Sequence, residues 1–187
     1  ALLGVGLEVA RKVAEAASRP AGGGPEPTDV CQVANDNEPT QVVLSGHKSA
    51  IDRVAEVGKA HGVRRALPLP VSAPFHCVLM QPAADAMAEA LATVPMSAPA
   101  VPLVANVLAA AISDPQDIRR RLVEQVTGTV RWRESVEFLA RNGVTHVFEI
   151  GHGKVLAGLV GRIDKALNAV SIGSPADIAS ALPTLQS

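Results

Sequence analysis

The side chain best suited to catalysis in this sequence is the imidazole of His76. It directly follows residues 71–75 (VSAPF), which lie between a predicted strand and a predicted helix, and such loops often display catalytic groups. A histidine side chain titrates near about pH 6.5, so it can take a proton from a nucleophile and return one to a leaving group at neutral pH. The sequence therefore predicts a general acid-base role for His76. A structural loop histidine is the alternative.

No nucleophile for this base can be assigned from the sequence. Cys77 is adjacent to His76, but neighbouring side chains on an extended segment point to opposite sides, so a buried structural thiol is predicted instead. A serine would be expected in a Gly-x-Ser-x-Gly turn, and that motif does not occur in the 187 residues. Ser45, Ser72 and Ser174 all lie outside such a context.

Metal and phosphate sites are not predicted. Cys31 and Cys77 have no Cys-x-x-Cys spacing, and the histidines His146 and His152 have no nearby carboxylate beyond Glu149. Residues 151–154 (GHGK) lack the spacing of a phosphate-binding loop. We therefore expect no metal and no redox cofactor.

Composition excludes several classes of protein. Apolar residues make up 48% of the chain and charged residues 19%, and the net charge is -1, as in globular proteins with a packed core. There is no basic field for nucleic acid and no apolar run of about 20 residues for a membrane span. We expect a cytoplasmic protein that binds neither nucleic acid nor a membrane. The start at Ala1, which is not a methionine and reads as a strand already under way, suggests a fragment.

The first 69 residues predict a ferredoxin-like order of strand, helix, strand, strand, helix, strand. The turn formers from Asn35 to Thr40 are predicted to join the two central strands as a hairpin. The predicted strands cover 1–6, 30–34, 41–45 and 63–69, and the predicted helices cover 7–17 and 47–61.

From residue 70 the pattern changes to longer helices alternating with isolated apolar strands, which is typical of an α/β layer architecture. A boundary near residue 70 is therefore expected. Helices are predicted at 82–93, 115–125 (capped by Ser113-Asp114), 132–142 and 155–163, and strands at 101–107, 144–150 and 169–172.

Four blocks of residues, taken in order, resemble the malonyl-CoA:acyl carrier protein transacylases of fatty acid synthesis. The blocks are Gln41 to Lys48, Arg65 to Cys77, Arg131-Trp132 with Glu134-Ser135-Val136, and Glu149 to Leu156. The resemblance implies an α/β fold: a ferredoxin-like small subdomain at 1–69 and the C-terminal part of an α/β-hydrolase-like core at 70–187. The chain departs from the family pattern at His152, where the family has proline. Histidine lacks the fixed φ of proline, so the rigidity of that turn is not predicted.

The resemblance also implies roles for single residues. His76 would be the base for a serine nucleophile that this chain lacks, and the main-chain carbonyl of Gln125 would accept its N–H. Asn35 and Asn37 would face the acyl or pantetheine part of the substrate, although turn formation explains them equally well. Phe75 would crowd a substrate with an α-methyl branch. Gln125 reads equally well as a surface residue at a helix end.

The implied reaction is ping-pong transfer of malonyl from malonyl-CoA to the phosphopantetheine thiol of acyl carrier protein. Lys48, Lys59, Arg64 and Arg65 would meet the acidic carrier protein or simply form a solvated face. Two alternatives stay open: a polyketide synthase acyltransferase domain, and a non-catalytic interaction module.

Overall fold

The computed structural model describes residues 1–19 and 29–185. By packing, the chain divides into two compact units, Ala1–Ser135 and Val136–Ser187. The boundary expected near residue 70 falls inside the first unit and stays a prediction, since compactness alone does not define a folding domain.

The first unit begins with a four-stranded antiparallel sheet in the order β2-β3-β1-β4. Its elements are β1 (Leu2–Leu3), α1 (Leu7–Ala17), β2 (Cys31–Glu38), β3 (Gln41–Gly46), α2 (Lys48–Ala60) and β4 (Arg65–Ala66). The predicted order of these six elements is confirmed. The first and last strands are shorter than predicted: the strands predicted at 1–6 and 63–69 contain only two paired residues each.

The core of this region comes from apolar faces at helical spacing. In α1 the buried residues are Ala10, Val13, Ala14 and Ala17, three or four positions apart, which places them on one side of the helix. This stripe, together with buried residues of α2, packs on the sheet in one hydrophobic cluster. The close approach of β3 to the segment before β2 requires glycine, because a Cβ on Gly46 would lie 2.0 Å from a main-chain oxygen.

The hairpin between β2 and β3 corrects one prediction. The predicted turn from Asn35 to Thr40 is in fact strand up to Glu38, and only Pro39 and Thr40 form the turn. The Glu38 carboxylate accepts hydrogen bonds from the Thr40 N–H at 3.2 Å and the Thr40 hydroxyl at 3.0 Å. These contacts close a two-residue turn that contains no glycine. The run of turn-forming residues predicted a turn here but not that it would be limited to two residues. Asn35 and Asn37 therefore lie in a strand.

The rest of the first unit holds helices and a short hairpin. A 3-10 helix (Val78–Met80) precedes α3 (Gln81–Ala92), β5 (Leu103–Ala105), β6 (Ala110–Ile112), α4 (Pro115–Thr127) and the start of α5 (Trp132–Arg141). The predicted cap of α4 is confirmed: the Asp114 carboxylate accepts the Asp117 N–H at 2.8 Å. The strand predicted at 101–107 is shorter, and its antiparallel partner β6 was not predicted.

The second unit contains the remainder of α5 and a parallel strand pair joined by a helix. Its elements are β7 (His146–Ile150), α6 (Val155–Ile163), β8 (Asn168–Ile172) and α7 (Pro175–Leu185). The Glu149 carboxylate accepts the N–H groups of Leu156 and Ala157, at 3.1 and 2.7 Å, which caps α6. Helix α7 was not predicted, although Ser174 and Asp177 form a recognisable N-terminal signal.

In the part of the chain that the structure describes, no helix is both long and apolar enough to cross a lipid bilayer.

Candidate active site

His76 occupies an unusual backbone conformation two residues before the 3-10 helix. Its φ is +58°, in the left-handed region that few non-glycine residues adopt, and such residues concentrate at functional sites. The ring is half-buried, and its Nδ1 lies 3.1 Å from the main-chain oxygen of Gln125. A carbonyl oxygen can only accept, so Nδ1 carries the hydrogen. In the neutral ring this leaves Nε2 as the nitrogen that can take up a proton.

The Gln125 oxygen is available because it lies in the last turn of α4. The final carbonyls of a helix have no partner within the helix and must find one elsewhere. The neighbouring carbonyl of Glu124 accepts the Gly128 N–H at 2.9 Å, and the Gln125 side-chain amide donates to the Gly128 oxygen at 2.8 Å. The structure thus brings together His76 and Gln125, the two residues with predicted catalytic roles; the roles themselves stay predictions.

A cleft of about 430 Å³ opens beside His76. The side chains lining it come from α1, from the start of β2, from the His76 loop and from the segment after α4: Arg11, Ala14, Glu15, Cys31, Gln32, Val33, His76, Thr127, Gly128 and Thr129. None of the three residues predicted to contact substrate is in this lining: Asn35, Asn37 and Phe75. Asn35 and Asn37 follow the lining residues on β2, and Phe75, which is 46% exposed, precedes His76.

The two cysteines near this site are poorly suited to act as nucleophiles. Burial raises the pKa of the Cys31 thiol to about 11, so the thiol stays protonated at neutral pH. Cys77 is fully buried, and its Sγ donates to the Pro74 oxygen at 3.1 Å. The predicted buried thiol at Cys77 is confirmed. The extended backbone predicted for this segment is wrong, because the φ of His76 is in the left-handed region.

An ion pair with a buried carboxylate joins β2 to the region after α4. Asp36 is 1% exposed, and its carboxylate accepts from the Arg133 guanidinium at 2.8 Å. The main chain adds a short ladder, in which Val130 donates to Ala34 at 2.8 Å and Asp36 donates to Val130 at 2.9 Å. Sequence reasoning missed this pair because Asp36 sits in a run of turn formers. The sequence carries no signal of this burial, because residues 35–38 (NDNE) are all polar.

A second ion pair stands beside the first. Arg131 hydrogen-bonds the Glu134 carboxylate, and this hydrogen bond is the main reason that the pKa of Glu134 lies below its ordinary value. The Arg131 guanidinium also donates to the Leu108 oxygen at 2.9 Å. These contacts fix the start of α5 within the first unit.

The cationic residues predicted to meet the carrier protein do not line the His76 cleft. Lys48 forms an exposed pair with Asp52 at 2.6 Å, and Lys59, Arg64 and Arg65 are exposed. Within the second unit Gly151 and Gly153 have φ of +137° and +106°, which explains the two glycines around His152. Over residues 1–19 and 29–185, no three histidine, cysteine or carboxylate side chains gather as a metal site would require.

Comparison with known proteins gives a consistent result. No family model matches the chain. The malonyl CoA-acyl carrier protein transacylase of Salmonella typhimurium is 49% identical over 153 residues, which cover 82% of this chain and 50% of the relative. A crystal structure of acyl-carrier-protein S-malonyltransferase from Bartonella henselae is 46% identical with a TM-score of 0.91, and covers 100% of this chain and 57% of that one.

A further solved structure is a complex of a type II polyketide synthase acyl carrier protein with its malonyl-transacylase. It is 37% identical with a TM-score of 0.90, and the match covers 98% of this chain and 57% of that one. This chain therefore spans about half the length of the relatives that it matches, and over that half both the sequence and the fold agree.

Proposed function

Because this chain belongs to the malonyl-CoA:acyl carrier protein transacylase family, matching its members over about half of their length, we propose that it supplies the base of a malonyl transfer reaction. One observation carries the proposal: His76 lines a cleft with its Nδ1 hydrogen held by the Gln125 oxygen. The carbonyl fixes the tautomer, as a carboxylate does in a Ser-His-Asp triad.

The reaction has two matching halves. In the first, His76 Nε2 takes the proton of the family's serine hydroxyl while the serine oxygen attacks the thioester carbonyl of malonyl-CoA. The C–S bond breaks, and the departing thiolate of coenzyme A takes the proton from the imidazolium. In the second, the imidazole takes the thiol proton of the carrier protein's phosphopantetheine, the thiolate attacks the malonyl-serine ester, and the serine oxygen leaves with that proton. No redox or metal cofactor is required.

The serine comes from outside the sequence described here. With no Gly-x-Ser-x-Gly motif in its 187 residues, this chain offers no serine in the expected turn. We therefore propose that the 187 residues alone catalyse no malonyl transfer and that the full-length protein does.

Substrate contacts are proposed for the three remaining residues. Asn35 and Asn37 are half-buried on β2, the strand whose first residues line the His76 cleft, and their amides can hydrogen-bond the acyl or pantetheine group. Phe75 exposes 46% of its surface next to His76 and would crowd an α-methyl branch on the acyl group.

At the level of the fold, we propose that residues 1–69 form a ferredoxin-like subdomain and that 70–187 are the C-terminal part of a hydrolase-like core. The antiparallel order β2-β3-β1-β4 with two helices supports the first assignment. The parallel pair β7-β8 with α6 between them supports the second. We also propose a cytoplasmic location, as the substrates require.

The test is malonyl transfer by the full-length protein. It is incubated with malonyl-CoA and the phosphopantetheinylated carrier protein, and the mass of the carrier is followed, with the Salmonella relative as positive control. We expect a malonyl adduct on the carrier, faster than with methylmalonyl-CoA. Carrier binding without any adduct, in a mixture where the Salmonella enzyme is active, would support an interaction module instead.

A further inference from the structure

The loop that carries His76 is held from β2 by a side chain with no role so far. Gln32 Oε1 accepts the main-chain N–H of Val78 at 2.8 Å. Val78 begins the 3-10 helix two residues after His76, and Gln32 lines the same cleft as the imidazole. Gln32 is largely exposed, so its contact with Val78 is not a by-product of packing in the hydrophobic core.

The loop needs such support because His76 is left-handed. A non-glycine residue stays at a φ of +58° only where its surroundings hold it there. The ring is held by the Gln125 oxygen at 3.1 Å, and the turn before it by the Cys77 thiol on the Pro74 oxygen at 3.1 Å. The contact from Gln32 holds the main chain on the far side of His76.

The same strand also holds the partner of the imidazole. The Thr129 hydroxyl donates to the Val33 oxygen at 2.7 Å, and the Val130 N–H donates to the Ala34 oxygen at 2.8 Å. Thr129 and Val130 follow the end of α4, the helix that presents the Gln125 oxygen. Three consecutive residues of β2 thus contact the segment after His76 and the segment after Gln125.

We propose that Gln32 is a positioning residue for His76. Its side-chain oxygen fixes the loop at the distance from β2 at which Nδ1 meets the Gln125 oxygen, and so keeps Nε2 as the basic nitrogen. This proposal rests on the proposed function, in which His76 is the base. Gln32 itself contacts no reacting atom in it.

The test compares three variants. Gln32→Met keeps the length of the side chain and removes the acceptor, Gln32→Glu restores an acceptor oxygen, and Gln116→Met is the matched control on the exposed start of α4. Amide hydrogen exchange of Val78, kcat and KM are all read on the full-length protein, with kcat and KM followed across its pH profile.

Loss of one hydrogen bond should speed Val78 exchange by roughly 3- to 10-fold in Gln32→Met. Misplacement of the base should lower the plateau kcat by about tenfold, with KM nearly unchanged. Gln32→Glu should restore both, and Gln116→Met should change neither. Unchanged Val78 exchange in Gln32→Met would overturn the contact. Faster exchange with a normal kcat, or an equal loss of kcat in Gln32→Glu, would overturn the positioning role.

These readouts separate this proposal from the proposed function. Val78 exchange needs no activity, whereas a full-length protein without malonyl transfer would contradict the proposed function and leave the exchange result standing. The nitrogen chemical shifts of the His76 ring add a second measure that is independent of turnover. They should show the Nδ1–H form in the unmodified chain and a mixture of the two forms in Gln32→Met; the Nδ1–H form alone in Gln32→Met would count against the positioning role.

Discussion

At the scale of single residues, the proposed chemistry depends on which nitrogen of His76 carries the hydrogen. A carbonyl partner does this work without a charge, since an acceptor is sufficient to fix the tautomer. The proposed base therefore needs no aspartate to orient its ring. Local contacts also explain the state of the two cysteines. Burial keeps the Cys31 thiol protonated, and the Cys77 thiol is enclosed in the turn whose Pro74 oxygen it hydrogen-bonds.

We predict that neither cysteine reacts readily with a thiol reagent in the folded chain. Cys31 is 8% exposed with a pKa raised to about 11, so at pH 8 it exists as the less reactive thiol, and Cys77 has no exposed surface. The measurement is the rate of labelling by a disulfide reagent at pH 8, with the denatured chain as control. Rapid labelling of either thiol in the native chain would contradict the arrangement described here.

The residues of the site were predictable to different degrees. His76 and Gln125 could be predicted because the resemblance fixed their places and a loop before a helix is readable in the sequence. Gln32 could not, because its contact joins residues 46 positions apart and exposed strand glutamines have no pattern of their own. Asp36 was hidden among turn formers, and only the structure shows that it is buried.

At the scale of elements, β2 organises the site. It pairs with β3 along one edge and contacts the segment after α4 along the other, through the bridge between Asn35 and Val130. The Asp36–Arg133 pair, whose carboxylate is buried, fastens the same edge. An ion pair removed from water stabilises only while both partners remain, because the partner left behind stays desolvated.

We predict that Asp36→Asn lowers the free energy of unfolding by about 3 kcal/mol, since it breaks an ion pair whose carboxylate is only 1% exposed. The matched control is Asp52→Asn, which breaks the exposed Lys48–Asp52 pair and should change the same quantity by less than about 0.5 kcal/mol. The measurement is the denaturant midpoint of each variant. Equal effects of the two changes would show that Asp36 contributes no more than a surface charge.

The element boundaries show what local sequence can and cannot predict. Helices α1 and α6 begin and end where predicted, because their apolar spacing and flanking residues agree. Strand lengths were less predictable, since pairing depends on distant partners: the strand predicted at 63–69 pairs only at Arg65–Ala66. The pairing of β5 with β6 was missed because Ala110–Ile112 is too short to show a strand pattern.

At the scale of the whole molecule, large apolar side chains are exposed in each unit. Those of the first unit include Leu69, Val71, Phe75, Val78, Val94 and Val101, and those of the second include Ile150, Val155, Leu156 and Ile178. Val101 is 72% and Ile150 81% exposed. Exposed apolar surface on this scale is typical of contact with another part of a protein or with a partner.

We predict that the 187-residue chain binds a hydrophobic dye and self-associates as its concentration rises, because removal of these apolar side chains from water lowers the free energy. Val101→Ser and Ile150→Ser should each lower dye fluorescence with a change in stability within about 0.5 kcal/mol. The measurements are dye titration and light scattering. A monodisperse chain without dye binding would mean that these side chains are covered in solution.

The central claim is that His76 is the base of malonyl transfer, oriented by the main chain of Gln125. The most direct measurement takes the transfer rate and the denaturant midpoint of the full-length protein for three variants: His76→Ala, Gln125→Ala and the control His47→Ala. His47 is a histidine outside the cleft that accepts the Val30 N–H at 2.9 Å.

We predict that His76→Ala lowers the transfer rate by about 10² to 10⁴-fold, as expected on loss of a general base, and changes stability by no more than about 1 kcal/mol. Gln125→Ala should be mild because the carbonyl remains, and His47→Ala should leave the rate near normal. Near-normal turnover in His76→Ala, with the Gln125 and His47 variants behaving as expected, would contradict the account at its centre.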